Sequence, residues 1–104
     1  MSNARTTAFL VANLGSEVSR LQFAIRKRDV VGAEEALWRA KMIFEKIQTT
    51  QMSHSAKAEL KILREVVEDL PNQNRRFKIS TESLNNYFLP FAKLVLKNPT
   101  SSAI

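Results

Sequence analysis

Apolar residues recur along most of this chain at intervals of three and four, the spacing that keeps side chains on one side of a helix. Leu10, Leu14, Val18, Leu21 and Ile25 trace one such stripe and predict a first helix over residues 5–28. Gly15 lies inside it at a cost of about 1 kcal/mol relative to alanine, and a close backbone approach would account for its presence. A second helix is predicted over residues 30–48, with Asp29 as N-cap and a stripe of Ala33, Ala36, Leu37, Ala40, Ile43, Phe44 and Ile47. Glu34 and Glu35 stand near its N-terminus, where the helix dipole favours acids.

A polar stretch from Gln48 to His54 reads as a loop. Ser53 or Ser55 caps a third helix over 55–70, with Ala56, Leu60, Leu63, Val67 and Leu70 on its stripe and Val66 widening it. Pro71 stops it, because the residue before a proline is pushed out of the helical region. Residues 71–79 form a polar, basic connector, with Phe77 and Ile79 expected to turn inward over the end of the core. A fourth helix is predicted over 81–97, with Ser80 or Thr81 as cap and Ile79 and Leu84 as a hydrophobic staple. Its stripe is Leu84, Tyr87, Phe88, Phe91 and Val95, and Pro90 should kink or break it near Phe88. Residues 98–104 read as a frayed tail.

Four amphipathic helices on short connections imply an all-α, antiparallel up-and-down four-helix bundle occupying residues 1–104 as one domain. The segment Arg28–Leu37 has a tetratricopeptide flavour. No second copy follows at that repeat's period, and a solenoid needs several copies.

Composition narrows the chemistry. The 104 residues include no cysteine and one histidine, which excludes disulfide frameworks, zinc fingers and cysteine nucleophiles. Two isolated glycines cannot build a phosphate-cradling loop. His54 has neither a glutamate three residues before it nor an arginine five before it, where Thr49 stands, so neither a di-iron bundle site nor an Arg-x4-His ribonuclease motif is present. The acid pairs Glu34–Glu35 and Glu68–Asp69 are adjacent residues about 100° apart on a helix, so neither pair converges on one point. We therefore expect no enzyme activity, no cofactor and no metal. No apolar run approaches the roughly 20 residues that span a bilayer, and no secretory signal is visible, so a cytoplasmic location is expected.

The net charge is +6, from 16 Lys+Arg against 10 Asp+Glu. Arg26-Lys27-Arg28 and Arg75-Arg76-Lys78 catch the eye, but in an up-and-down bundle both lie at a pole that also holds Asp29, Glu34, Glu35, Glu65, Glu68, Asp69 and Glu82. The excess is spread along the chain. Nucleic-acid contact through Arg75, Arg76 and Lys78 is the alternative reading, with Phe77 as an interleaved aromatic.

The better lead is apolar surface left over. Phe9 and Phe23 fall opposite the first helix's stripe, with the small residues Ala12, Ser16 and Ser19 between them. Val31, Trp38 and Met42 fall opposite the second helix's stripe, and Leu89 and Leu96 off the fourth's. Clustered exposed apolar residues mark contacts, and tryptophan is a common interface anchor. The competing expectation is that the connector or the termini fold over Trp38. From Leu21 to Ile47 the chain is faintly similar to the middle helices of flagellin-export chaperones, through Arg28, Asp29, Ala36, Ala40, Lys41 and Ile43. These residue types are common in amphipathic helices, and no function is taken from the resemblance. The expected function is non-enzymatic protein binding through Phe9, Phe23, Val31, Trp38 and Met42. Its expected form is a homo-oligomer, a dimer first, and then an adaptor or chaperone-like binder of another protein.

Overall fold

A computed structural model of the chain describes residues 4–97, and the side chains of residues 6–90. Four helices follow one another: α1 (Ala4–Arg26), α2 (Val30–Gln48), α3 (His54–Asp69) and α4 (Thr81–Lys97). No strand occurs among the described residues, so the chain has an all-α four-helix fold. Phe91, Val95 and Leu96, assigned above to faces of the fourth helix, lie outside the described side chains, and residues 98–104 lie outside the described chain.

The first helix stops two residues sooner than its pattern predicts, for a local reason. Arg28 takes a left-handed backbone conformation (φ 57°). Its N–H donates to the Ile25 carbonyl (3.1 Å) and the Asp29 N–H donates to Ala24 (2.9 Å). This is the paired closure of a Schellman motif, which uses carbonyls the helix end would otherwise leave unpaired. Asp29 then caps α2 as expected, its carboxylate accepting from the Gly32 N–H at 2.9 Å. The chain thus reverses within three residues, and α1 and α2 form a helical hairpin. Glu17 and Arg39, equidistant along the chain from Arg28, meet across it at 2.8 Å.

The other termini follow the same logic. Ser53, and not Ser55, caps α3 by accepting from the Ala56 N–H (3.1 Å), so the helix begins at His54. Ser80 caps α4 by accepting from the Ser83 N–H (3.0 Å). α4 remains helical through Pro90 to Lys97.

α1 packs along both α2 and α4, and α2 packs on α3. One apolar core joins all four, with Leu14, Val18, Leu21, Phe44, Ile47 and Val67 fully enclosed. Having neighbours on two sides, α1 buries Ala8, Val11 and Ala24 as well as Leu14, Val18 and Leu21 of its predicted stripe, while Leu10 and Ile25 are half-buried. Ala56 is exposed, contrary to its place on the predicted stripe, because α3 first meets the core one turn later at Leu60. Phe77 and Ile79 pack against the core from the connector, as expected.

Gly15 is where α4 comes closest to α1. A Cβ at this position would lie 2.9 Å from Cβ and Cγ of Phe88, the root of that side chain. Gly15→Ala should therefore lower stability by about 1–3 kcal/mol through overpacking, although alanine is the better helix former by about 1 kcal/mol. Urea unfolding midpoints would register the loss. Arg28→Gly, relieving the left-handed conformation of a residue with a Cβ, should raise stability by about 1 kcal/mol in the same measurement.

Candidate protein-binding face

The inward faces of α1 and α2 are committed to the core, and their remaining arcs look outward. At about 100° per residue, Val31, Trp38 and Met42 fall within one narrow arc of α2 opposite Ala36, Ala40 and Ile47. Phe9, Ser16 and Phe23, seven residues apart, occupy the corresponding arc of α1. All five apolar residues expected at an interface are exposed: Phe9 52%, Phe23 53%, Val31 64%, Trp38 64% and Met42 41%. No described segment covers Trp38, so the connector does not fold over it. Ile62 on α3 and Leu89 on α4 are also exposed, but stand alone on their helices.

The groove between the two helices is lined by Phe23 of the α1 arc but not by Val31, Trp38 or Met42 of the α2 arc. Ser19, Arg20, Phe23 and Ala24 of α1 share a single open groove of about 720 Å³ with Gly32, Glu35 and Arg39 of α2. Glu17 organises its far wall, accepting from Arg39 Nε (2.8 Å) and from Arg20 (2.9 Å) while its own side chain is only 12% exposed. At the turn, Lys27 Nζ stands 5.0 Å and the Arg26 guanidinium 5.9 Å from the centre of the Phe23 ring. These are cation–π distances, and the ring remains 53% exposed.

Basic residues (Arg20, Arg26 and Lys27) lie beside Phe23 on α1, whereas the charges around Trp38 on α2 are mixed: Glu34, Glu35, Lys41 and Glu45. Sequence reasoning named the exposed aromatic residues but not the charges beside them, which spacings of three, four and seven from Phe23 and Trp38 would have found.

The basic connector is built differently. Asp69, buried at the end of α3, accepts from the Asn72 side chain (2.9 Å) and from the Phe77 N–H (3.0 Å), drawing the 70–80 segment around itself. The Arg76 guanidinium lies over the Phe77 ring at 4.9 Å, and the ring packs on the core. Arg76 and Lys78 are exposed and Arg75 is half-buried. The trio is thus not joined to a free stacking face. Of the acid pairs, Glu68 binds Arg64 (3.0 Å) and Asp69 serves the connector. Tyr87 donates to Glu59 Oε1 (2.5 Å), linking α4 to α3, and burial pushes its phenol pKa well above the ordinary range.

His54 is exposed in the first turn of α3 and not in the loop where the pattern put it. Among the described residues no three His, Cys, Asp or Glu side chains gather as metal ligands, and no helix is long and apolar enough to cross a membrane. No protein-family model, curated protein or solved structure matches this chain.

The Phe77 N–H and the Asn72 amide hold the Asp69 carboxyl below its ordinary pKa of 3.8. A carboxylate depressed on folding stabilises the fold above its unfolded pKa, and that contribution disappears as pH falls through the folded value. Asp69→Asn should therefore be less stable than the parent at neutral pH and should lose less stability on acidification below about pH 4. Urea midpoints across that range would show the two curves converging.

Proposed function

We propose that this four-helix protein acts by binding protein through the outer face of the α1–α2 hairpin, self-association being the simplest form, and that it carries no catalytic activity. The observation behind this reading is Trp38. It is a large aromatic side chain, 64% exposed, with Met42, 41% exposed, one turn away on the same helix. Soluble chains leave single apolar residues at the surface freely, but a cluster around a tryptophan is the composition of a binding hot spot. The same face would accept an amphipathic helix of another protein, which is the adaptor or chaperone-like form of the proposal.

The connector reading is less well supported. The Phe77 N–H and the Asn72 side chain are engaged by Asp69, and Arg76 lies over the Phe77 ring. Nucleic-acid contact by Arg75, Arg76 and Lys78 would appear as binding that falls steeply with salt and vanishes when all three are alanine.

Light scattering at tens of micromolar tests the main proposal. The wild type should be an oligomer, and Trp38→Ala should weaken association at least tenfold, as loss of an interface anchor does. The thermal unfolding of a Trp38→Ala monomer should change little, because the side chain lies outside the core. A monomeric wild type that Trp38→Ala leaves unaltered would remove self-association.

A further inference from the structure

We infer that residues 71–79 form a strap over one end of the core that opens and closes as a unit while the four helices stay folded, with the Asp69 carboxylate as its lock. No residue of the hairpin face takes part, so this reading and the binding reading above stand or fall separately.

Helices of a bundle are commonly joined by about two to eight residues. The chain between α3 and α4 runs from Leu70 to Ser80, which is longer than that, and it contains no helix or strand. Both of its ends are fixed by bonds outside the strap. At the near end the Leu70 N–H donates to the Val67 carbonyl (3.2 Å), and the Leu70 side chain is buried in the core. At the far end Ser80 accepts from the Ser83 N–H through its hydroxyl (3.0 Å) and from the Leu84 N–H through its carbonyl (3.1 Å). The strap can therefore leave the core without taking a helix end with it.

Between those ends the polar ties converge on one group. Asp69 Oδ1 accepts from the Asn72 amide (2.9 Å) and Oδ2 from the Phe77 N–H (3.0 Å), so both carboxylate oxygens hold the strap. The Asp69 carbonyl adds a turn bond from the Asn72 N–H (3.0 Å). Among the described residues, Gln73 to Ile79 make no hydrogen bond or ion pair with any residue outside the strap except Asp69. The remaining hold is apolar and partial. Phe77 and Ile79 pack on the core half-buried, whereas the fully enclosed Leu14, Leu21, Phe44 and Val67 all stand on helices. A segment with few buried contacts and one polar anchor belongs to the part of a fold that opens most easily.

Opening changes what the connector presents. In the closed state the Phe77 ring packs on the core beneath the Arg76 guanidinium. Once open, Arg75, Arg76, Phe77 and Lys78 lie together on free chain with the ring accessible. A nucleic acid stacking on Phe77 would have to open the strap first.

Amide hydrogen exchange, read residue by residue by NMR across low concentrations of urea, tests this in the wild type. The Phe77 amide should be protected by its bond to Asp69 and should exchange at a rate that urea hardly changes, because a local opening exposes little surface. The Leu21 and Phe44 amides, inside α1 and α2, should exchange more slowly and speed up steeply with urea. A Phe77 amide that matches Phe44 in rate and urea dependence means that the strap opens only when the whole chain unfolds, and overturns the inference. A Phe77 amide without protection means that the strap is not closed, and overturns it as well. Asp69→Ala then tests the lock. Phe77 should exchange about tenfold faster or more, as loss of a charge-assisted hydrogen bond implies, while Leu21 and Phe44 remain protected. Phe77 protection that survives the substitution places the lock elsewhere, and a variant without folded helices shows that Asp69 holds more than the strap. Either result overturns the inference.

Discussion

The packing of α1 between α2 and α4 is the constraint on which the rest of the structure depends. A helix with one neighbour buries a stripe, whereas α1 has two and buries most of its circumference along its middle turns. α4 can lie close because Gly15 presents no side chain to Phe88. α2 returns alongside because Arg28 and Asp29 close one helix and open the next within three residues. With α2 and α4 in place, the arc of α1 holding Phe9, Ser16 and Phe23 is left exposed among the described residues. The exposed aromatic surface follows from how the core is filled.

Two aspartates illustrate how the connections are held and why their charges have different meanings. Asp29 sits at the surface and ties down a single N–H of α2. Asp69 is buried and gathers a whole connector, accepting from side chain and backbone eight residues apart at most. The basic residues of that connector are therefore carried on a segment whose path has a structural cause. On the hairpin, Glu17 and Arg39 pair across the two helices. Arg20 also pairs with Glu17, but Lys27, Glu34 and Glu35 stand on open surface around aromatic rings, which is why the hairpin face is the better candidate for binding.

Much of the fold was legible in the chain because amphipathic periodicity is a local signal. The spacing of Ala36, Ala40, Phe44 and Ile47 states which side of α2 is inward, and Asp29, Ser53 and Ser80 state where helices begin. The misses are equally local in origin. Arg28 reads as one more helical residue, since nothing in its type announces a left-handed conformation; the Schellman hydrogen bonds impose it. Ala56 fits its stripe and is exposed because α3 first joins the core at Leu60. For the candidate face, Phe23 and Trp38 were visible as residues off their stripes and are exposed, but the groove that borders Phe23 was not legible.

What the sequence by itself determined is therefore the helices, their caps, their inward stripes and the residues left facing out. Each of these depends on neighbours within a turn or two along the chain. Which outward arcs share a surface was decided only by the tertiary structure. That depends on the relative rotation of packed helices, set by contacts such as Gly15 with Phe88 and Glu17 with Arg39 between residues far apart in the chain. Those contacts decide that Phe23 borders the groove between α1 and α2 while Trp38 lies outside it.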